Sequence, residues 1–260
     1  NSFEKMFVDC ISLTEIVFGS NVKRIPKRFM FGCPGLTDLV IPDNITEIGE
    51  YAFSDCENLK SVSVGNGITE LTWDTFSRCS SLENVEFPEN LQKISNGVFY
   101  GCGFKEIVIP DSVTSLEVGV FSECTKLRCV TIGKGVKSIK DGVFSGCYNL
   151  AVVINKSTLE IRKGISVDWL VTYALDIRTE KLNDITMQND FLFYSFEEGD
   201  YLLGYVGQSD NIVLPANYKG NDYTIAKYAF YGSKNYNSIT VAEGNRKYHS
   251  SGNCIIETQT

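Results

Sequence analysis

The sequence predicts a solenoid: a stack of short coils with a parallel β-sheet on one face, short 3₁₀ or helical turns and short strands on the others, and a β-hairpin insertion near the C-terminus. Three observations predict it. A cysteine recurs at positions 10, 33, 56, 79, 102, 124 and 147, at intervals of 23 residues broken once by 22. A hydrophobic template travels with it. One copy reads Phe53, Cys56, Leu59, Val62, Val64, Ile68 and Leu71, and the next reads Phe76, Cys79, Leu82, Val85, Phe87, Leu91 and Ile94. Turn-forming residues follow at a constant distance. A unit of this length cannot bury its apolar face alone and needs neighbours above and below it.

Each unit divides into four elements. The first, as in Leu36-Thr37-Asp38-Leu39-Val40-Ile41, alternates apolar and polar residues with the two-residue period of a strand. A turn follows, built from Pro42-Asp43-Asn44, Gly65-Asn66-Gly67, Pro88-Glu89-Asn90, Pro110-Asp111-Ser112 or Gly133-Lys134-Gly135. A second short apolar pair comes next, such as Ile45 and Ile48. A Gly-x-x-[Ala/Val]-Phe segment then reads as a short helical or 3₁₀ return to the next cysteine. Equivalent residues should stack as ladders about 4.8 Å apart, Phe on Phe and Cys on Cys.

The period sets domain boundaries where it breaks. Residues 1–164 form an array of about seven units. In the fifth, one residue is lost and Phe104 replaces the usual leucine, which a tightened turn should absorb. Met30 takes the phenylalanine position in the second. Residues 165–190, with Trp169, Leu170, Tyr173 and Leu175, read as a degenerate unit or packed insertion. Residues 191–226 read as a tyrosine-rich β-hairpin module, and 227–260 as a resumed, truncated unit with Ser233 in the cysteine position, Tyr236, Ile239 and Val241 in template positions.

A formal charge of −8 and a pI near 4.9, with scattered lysines and arginines, argue against nucleic-acid recognition. No apolar run reaches the length of a membrane span. The chain starts at Asn1 without a secretory signal and carries no anchor motif, so location is expected to be set outside this segment. Of nine cysteines, only Cys129 and Cys254 fall outside the ladder. Their single-file spacing fits neither a metal cluster nor good disulfide geometry, so they read as buried free thiols acting as small hydrophobes. No cofactor or metal is expected.

The stretch Ile41 to Leu59, with its [Ala/Val]-Phe-x-x-Cys-x-x-Leu signature, resembles the repeat of BspA-like leucine-rich repeat proteins. The resemblance covers about two thirds of the chain. It implies a right-handed, curved leucine-rich-repeat solenoid on a bacterial or protozoan surface or secreted protein, associated with adhesion to host proteins or other cells. Ligands vary widely within the family, so no partner is transferred residue by residue.

Catalytic chemistry finds little footing. His249 is the one candidate base, in a Tyr-His-Ser-Ser-Gly stretch that reads as an exposed loop. The two Gly-x-Gly segments lack the strand-to-helix setting of a phosphate loop and read as repeat turns. Glu197, Glu198 and Asp200 read as a solvated hairpin tip before a calcium site. The remaining candidate is a surface. Outward strand positions form two stripes, Glu15, Asp38, Ser61, Asn84 and Glu106, followed by Cys129, and Val17, Val40, Ser63, Glu86, Val108 and Thr131. A non-enzymatic protein-interaction or adhesion module is expected, binding a host extracellular-matrix or cell-surface protein. The alternatives are a structural spacer, or a glycan-binding surface on the module that holds nine of the thirteen tyrosines.

Overall fold

The computed structural model describes residues 4–161, 174, 176–180, 185–196, 198–231, 236–252 and 254–258. It divides into two compact units, Asn1–Glu180 and Lys181–Thr260. In the first, the strands Asp38–Ile41, Ser61–Val64 and Asn84–Glu86 pair in parallel, with Asp38 opposite Ser61 and Ser61 opposite Asn84. A second parallel sheet joins Glu106–Val108, Cys129–Ile132, Val152–Asn155 and Asp176–Arg178 in that order. The last of these continues the ladder into the expected insertion, most of which lies outside the described residues. Two-residue strands at Glu70–Leu71, Lys93–Ile94, Ser115–Leu116 and Ser138–Ile139 build a further side of the coil. Alternation drives the first sheet: Leu39, Ile41, Val62 and Val64 are buried, and the residues between them face out.

The return limb corrects the expected 3₁₀ or helical turn. No helix occurs among the described residues. A helix would direct its N–H groups to carbonyls of its own turn, whereas here alternate N–H groups reach the next coil. Those of Tyr51, Phe53 and Asp55 donate to the carbonyls of Trp73, Thr75 and Ser77 at 3.0, 2.9 and 2.8 Å. Those of Asp74, Phe76 and Arg78 donate to Asn96, Val98 and Tyr100 at 3.0, 3.0 and 2.6 Å. This alternation requires left-handed backbone five residues and one residue before each cysteine. Gly97 and Gly101 supply it at φ of 62° and 66°, but Tyr51 and Asp55 adopt it at 58° and 61°. The conformation costs a non-glycine residue about 1–2 kcal/mol, offset by the ladder bonds it permits.

Inside, the rings of Phe53, Phe76, Phe99, Phe121 and Phe144 form one stack with centroids 5.5–5.8 Å apart. The cysteines stack beside them as free thiols, and they do more than fill space. Each thiol donates to a carbonyl of the preceding coil: Cys33 to Phe7, Cys56 to Met30, Cys79 to Phe53, Cys102 to Phe76, Cys124 to Phe99 and Cys147 to Phe121, at 2.9–3.2 Å. Burial pushes the thiols of Cys79, Cys102 and Cys147 well above their ordinary value and that of Cys56 up to about 12.

The one-residue deletion divides the long sheet, because Asn84–Glu86 and Glu106–Val108 are not paired. The tightened turn therefore loses the strand ladder locally, a cost the sequence did not show. The two-residue ladder runs on uninterrupted, with Lys93 opposite Ser115. Phe104 fills the space under the turn, edge-on to Phe99 at 5.4 Å and to Phe121 at 6.2 Å.

The turns stack equally closely. The carboxylate of Asp43 accepts the N–H of Asn66 at 2.7 Å, and that of Asp111 accepts the N–H of Lys134 at 2.9 Å. A Cβ at Gly67 would stand 2.1 Å from the Ile45 carbonyl oxygen, and one at Gly135 would stand 2.0 Å from that of Asp111. The glycines are needed for space between coils, not for phosphate. Gly67→Ala is expected to destabilise by about 2–3 kcal/mol or more through forced separation of two coils. Gly19→Ala, which meets nothing within 4 Å, should stay within about 0.5 kcal/mol of the parent. Urea unfolding of both variants checks this, and equal midpoints would refute it.

In the second unit, Phe191–Phe196 pairs antiparallel with Gly199–Tyr205 as the expected hairpin, and Thr186–Gln188 adds a strand to its outer side. Asn211–Leu214 pairs in parallel with Ser238–Val241, Ile212 opposite Ile239 and Leu214 opposite Val241. The chain then folds into an antiparallel hairpin, Tyr248–Ser251 with Cys254–Glu257. Phe191, Phe193, Leu202, Ile212, Leu214, Tyr218, Tyr223 and Tyr248 fill a separate core.

Candidate functional site

The outward stripe residues are positioned by the sheet itself. In parallel pairing, residue stands beside equivalent residue, so Asp38, Ser61 and Asn84 form one row and Val40, Ser63 and Glu86 the next. Val40 and Val108 are 65% and 62% exposed although both are strand residues. Asp38 accepts hydrogen bonds from Ser61 and from Thr37, and these, Ser61 first, hold its carboxyl below the usual range. It stays anionic at neutral pH and its carboxylate direction is set by the neighbouring coil. Lys105 and Glu83 pair at 2.9 Å beside the row.

The two stripes are shorter than the sequence suggested. Glu15 and Val17 are exposed, Val17 by 81%, but lie on a run outside the strands. At the other end, Thr131 is only 9% exposed and Cys129 4%, so neither belongs to an open surface. Next to them Val152 and Ile154 are each 2% exposed. The signal was present in the sequence: the outward row that is polar in earlier coils, Glu15, Asp38, Ser61, Asn84 and Glu106, becomes Cys129 and Val152, and apolar residues on both faces of a strand mark a strand covered on both sides. The open surface therefore comprises Asp38, Val40, Ser61, Ser63, Asn84 and Glu86, with Glu106 and Val108 beyond the break in the sheet.

The other candidates have structural surroundings. His249 lies in a strand of the terminal hairpin, not a loop, exposed and 3.3 Å from the Thr258 hydroxyl through Nδ1. Asp200 accepts a hydrogen bond from Ser195 across the hairpin; Glu197 lies outside the described residues. Among the described residues no three His, Cys, Asp or Glu side chains gather as a metal site, and no helix is long and apolar enough to cross a membrane. Tyr194, Tyr218, Tyr223 and Tyr248 are buried, while Tyr231 is 48% exposed.

The sequence profile of the BspA type leucine rich repeat region matches in six copies, over residues 3–103 and 56–165. The chain belongs to that family. Among solved structures, a leucine rich repeat protein of T. pallidum is 33% identical, with a TM-score of 0.50, over 53% of this chain and 64% of its own. A leucine rich cell surface protein of Faecalibacterium prausnitzii is 20% identical, covering 87% of this chain and 61% of its own, with a TM-score of 0.42. A leucine-rich repeat protein of Bacteroides ovatus is 20% identical, covering 86% and 65%, with a TM-score of 0.44. The chain spans less than two thirds of the length of these relatives. No curated protein matches the sequence significantly. A BspA-type array is a repeat scaffold of the kind that presents extended protein-binding surfaces.

Proposed function

We propose that this BspA-type array is a non-catalytic interaction or adhesion module of a bacterial surface or secreted protein. Its partner, on this reading, is a host extracellular-matrix or cell-surface protein engaged through the outward face of the strands. The observation that carries the reading is the neighbourhood of exposed valines and acids on the strand face. Val40 and Val108 stand in solvent among Asp38, Glu86 and Glu106 on strand positions where parallel pairing sets side chains in rows. Apolar contact supplies affinity at such a surface, and the charged surround selects the partner and its orientation. Family membership supports the class of function, and the burial of Tyr194, Tyr218, Tyr223 and Tyr248 in the second unit weighs against a glycan surface there.

The test is a triple charge reversal, Glu15→Lys, Asp38→Lys and Glu106→Lys, assayed against a panel of immobilised matrix proteins. At least tenfold weaker capture is expected, with an unchanged circular-dichroism melt. Capture at the parent level would refute the assignment.

A further inference from the structure

We infer that the return limb of the coils of Cys33, Cys56 and Cys79 is a second docking surface, fitted to an acidic peptide segment whose carboxylate meets Arg28 and whose apolar side chain stacks on Trp73. Two independent observations carry it. First, Arg28 lacks the partner its neighbours have. Lys27 pairs with Glu50, and Arg78 with Asp55 at 3.2 Å, whereas Arg28 has no carboxylate partner among the described residues and lies over the rings of Phe31 at 5.6 Å and Tyr51 at 5.3 Å. Its Nε is shielded from solvent with no acceptor. A guanidinium lying over ring faces and left without a carboxylate suits one supplied by another molecule.

Second, an aromatic platform adjoins it. Trp73 is 51% exposed, and its carbonyl accepts the Tyr51 N–H at 3.0 Å, so the two residues sit on touching coils. Tryptophan, tyrosine and arginine together are the residues that dominate binding energy at protein interfaces. Arg28 adopts φ of 53° at a position that glycine fills in later coils, so glycine fits there without strain.

The surface lies on a different limb from the strand face, and the experiment separates the two. Binding of a random glutamate–tyrosine copolymer is measured by calorimetry, beside polyglutamate and hyaluronan as probes of charge alone and of a uronic-acid glycan. In a Trp169→Phe background, the fluorescence of Trp73 should shift on adding the copolymer. Arg28→Gly and Trp73→Ala should each weaken copolymer binding at least tenfold, while the triple charge reversal on the strand face leaves it at the parent level. Arg28→Gly should melt at or above the parent, which a merely structural arginine would not allow. The inference is overturned by absence of copolymer binding, by equal binding of polyglutamate or preference for hyaluronan, by parent-like affinity of Arg28→Gly, or by its melting well below the parent.

Discussion

Raised from about pH 8 to about pH 11, the repeat array is expected to unfold cooperatively, with the loss beginning near the ordinary thiol pKa of about 9. Cys79, Cys102 and Cys147 are held well above that value, and Cys56 at about 12, because burial among apolar side chains penalises the thiolate. A raised folded-state value means the proton is bound more tightly in the native state. The contribution to stability is complete below the unfolded pKa and is lost as pH rises through the window from there to the folded value. Above about pH 9 the unfolded chain releases each thiol proton and the native chain keeps it. The folding constant then falls about tenfold per thiol per pH unit, so four thiols lower it by roughly 10⁴ per unit. Total stabilities near 5–15 kcal/mol are exhausted within one to about three units. Melting temperature against pH measures the slope, and the double variant Cys79→Ala, Cys102→Ala should make it shallower by two protons. An unchanged slope would show that the cysteine file does not carry the effect.

Phe99→Ala is expected to be the most damaging single truncation in the array, at about 3–5 kcal/mol. Phe99 lies between Phe76 and Phe121 at 5.8 and 5.5 Å in near-parallel stacking, and the edges of Phe87 and Phe104 close its flanks at 5.9 and 5.4 Å. Its removal leaves a void that four rings border and that the coil spacing, set by backbone hydrogen bonds, keeps from collapsing. Phe144→Ala removes a ring with one stacked neighbour, Phe121 at 5.6 Å, and should cost less. Denaturant unfolding ranks the two, and a Phe144→Ala loss equal to that of Phe99→Ala would contradict the stack as described.

The array was legible because its period makes every neighbour a known residue. Once Leu59 is placed, Leu36 and Leu82 are its stacking partners, and the observed register of Asp38 with Ser61 and Ser61 with Asn84 follows from the same offset. The return limb was not legible in the same way. The residues there include good helix formers, and the left-handed position five residues before each cysteine is marked by glycine only in later coils. Arg28, Tyr51 and Asp74 conceal it in the earlier ones. Whether an N–H bonds within its own turn or to the next coil is decided by the coil stacked on it, and local propensity carries no record of that. The strand-face candidates were found by alternation, which tells in from out but not whether the outer face stays uncovered. Thr131 was misjudged for that reason.

Sequence alone determined the repeat length, the identity of the buried ladders, the parallel register and the place of the one-residue slip. All four depend on spacing, which the chain carries in one dimension. Tertiary structure decided how the backbone of the return limb is satisfied, that the slip divides one sheet and spares another, that the thiols donate to carbonyls, and which outward residues remain open. These are outcomes of contact between coils, where a hydrogen bond or a shielded face exists only when the neighbouring coil is in place.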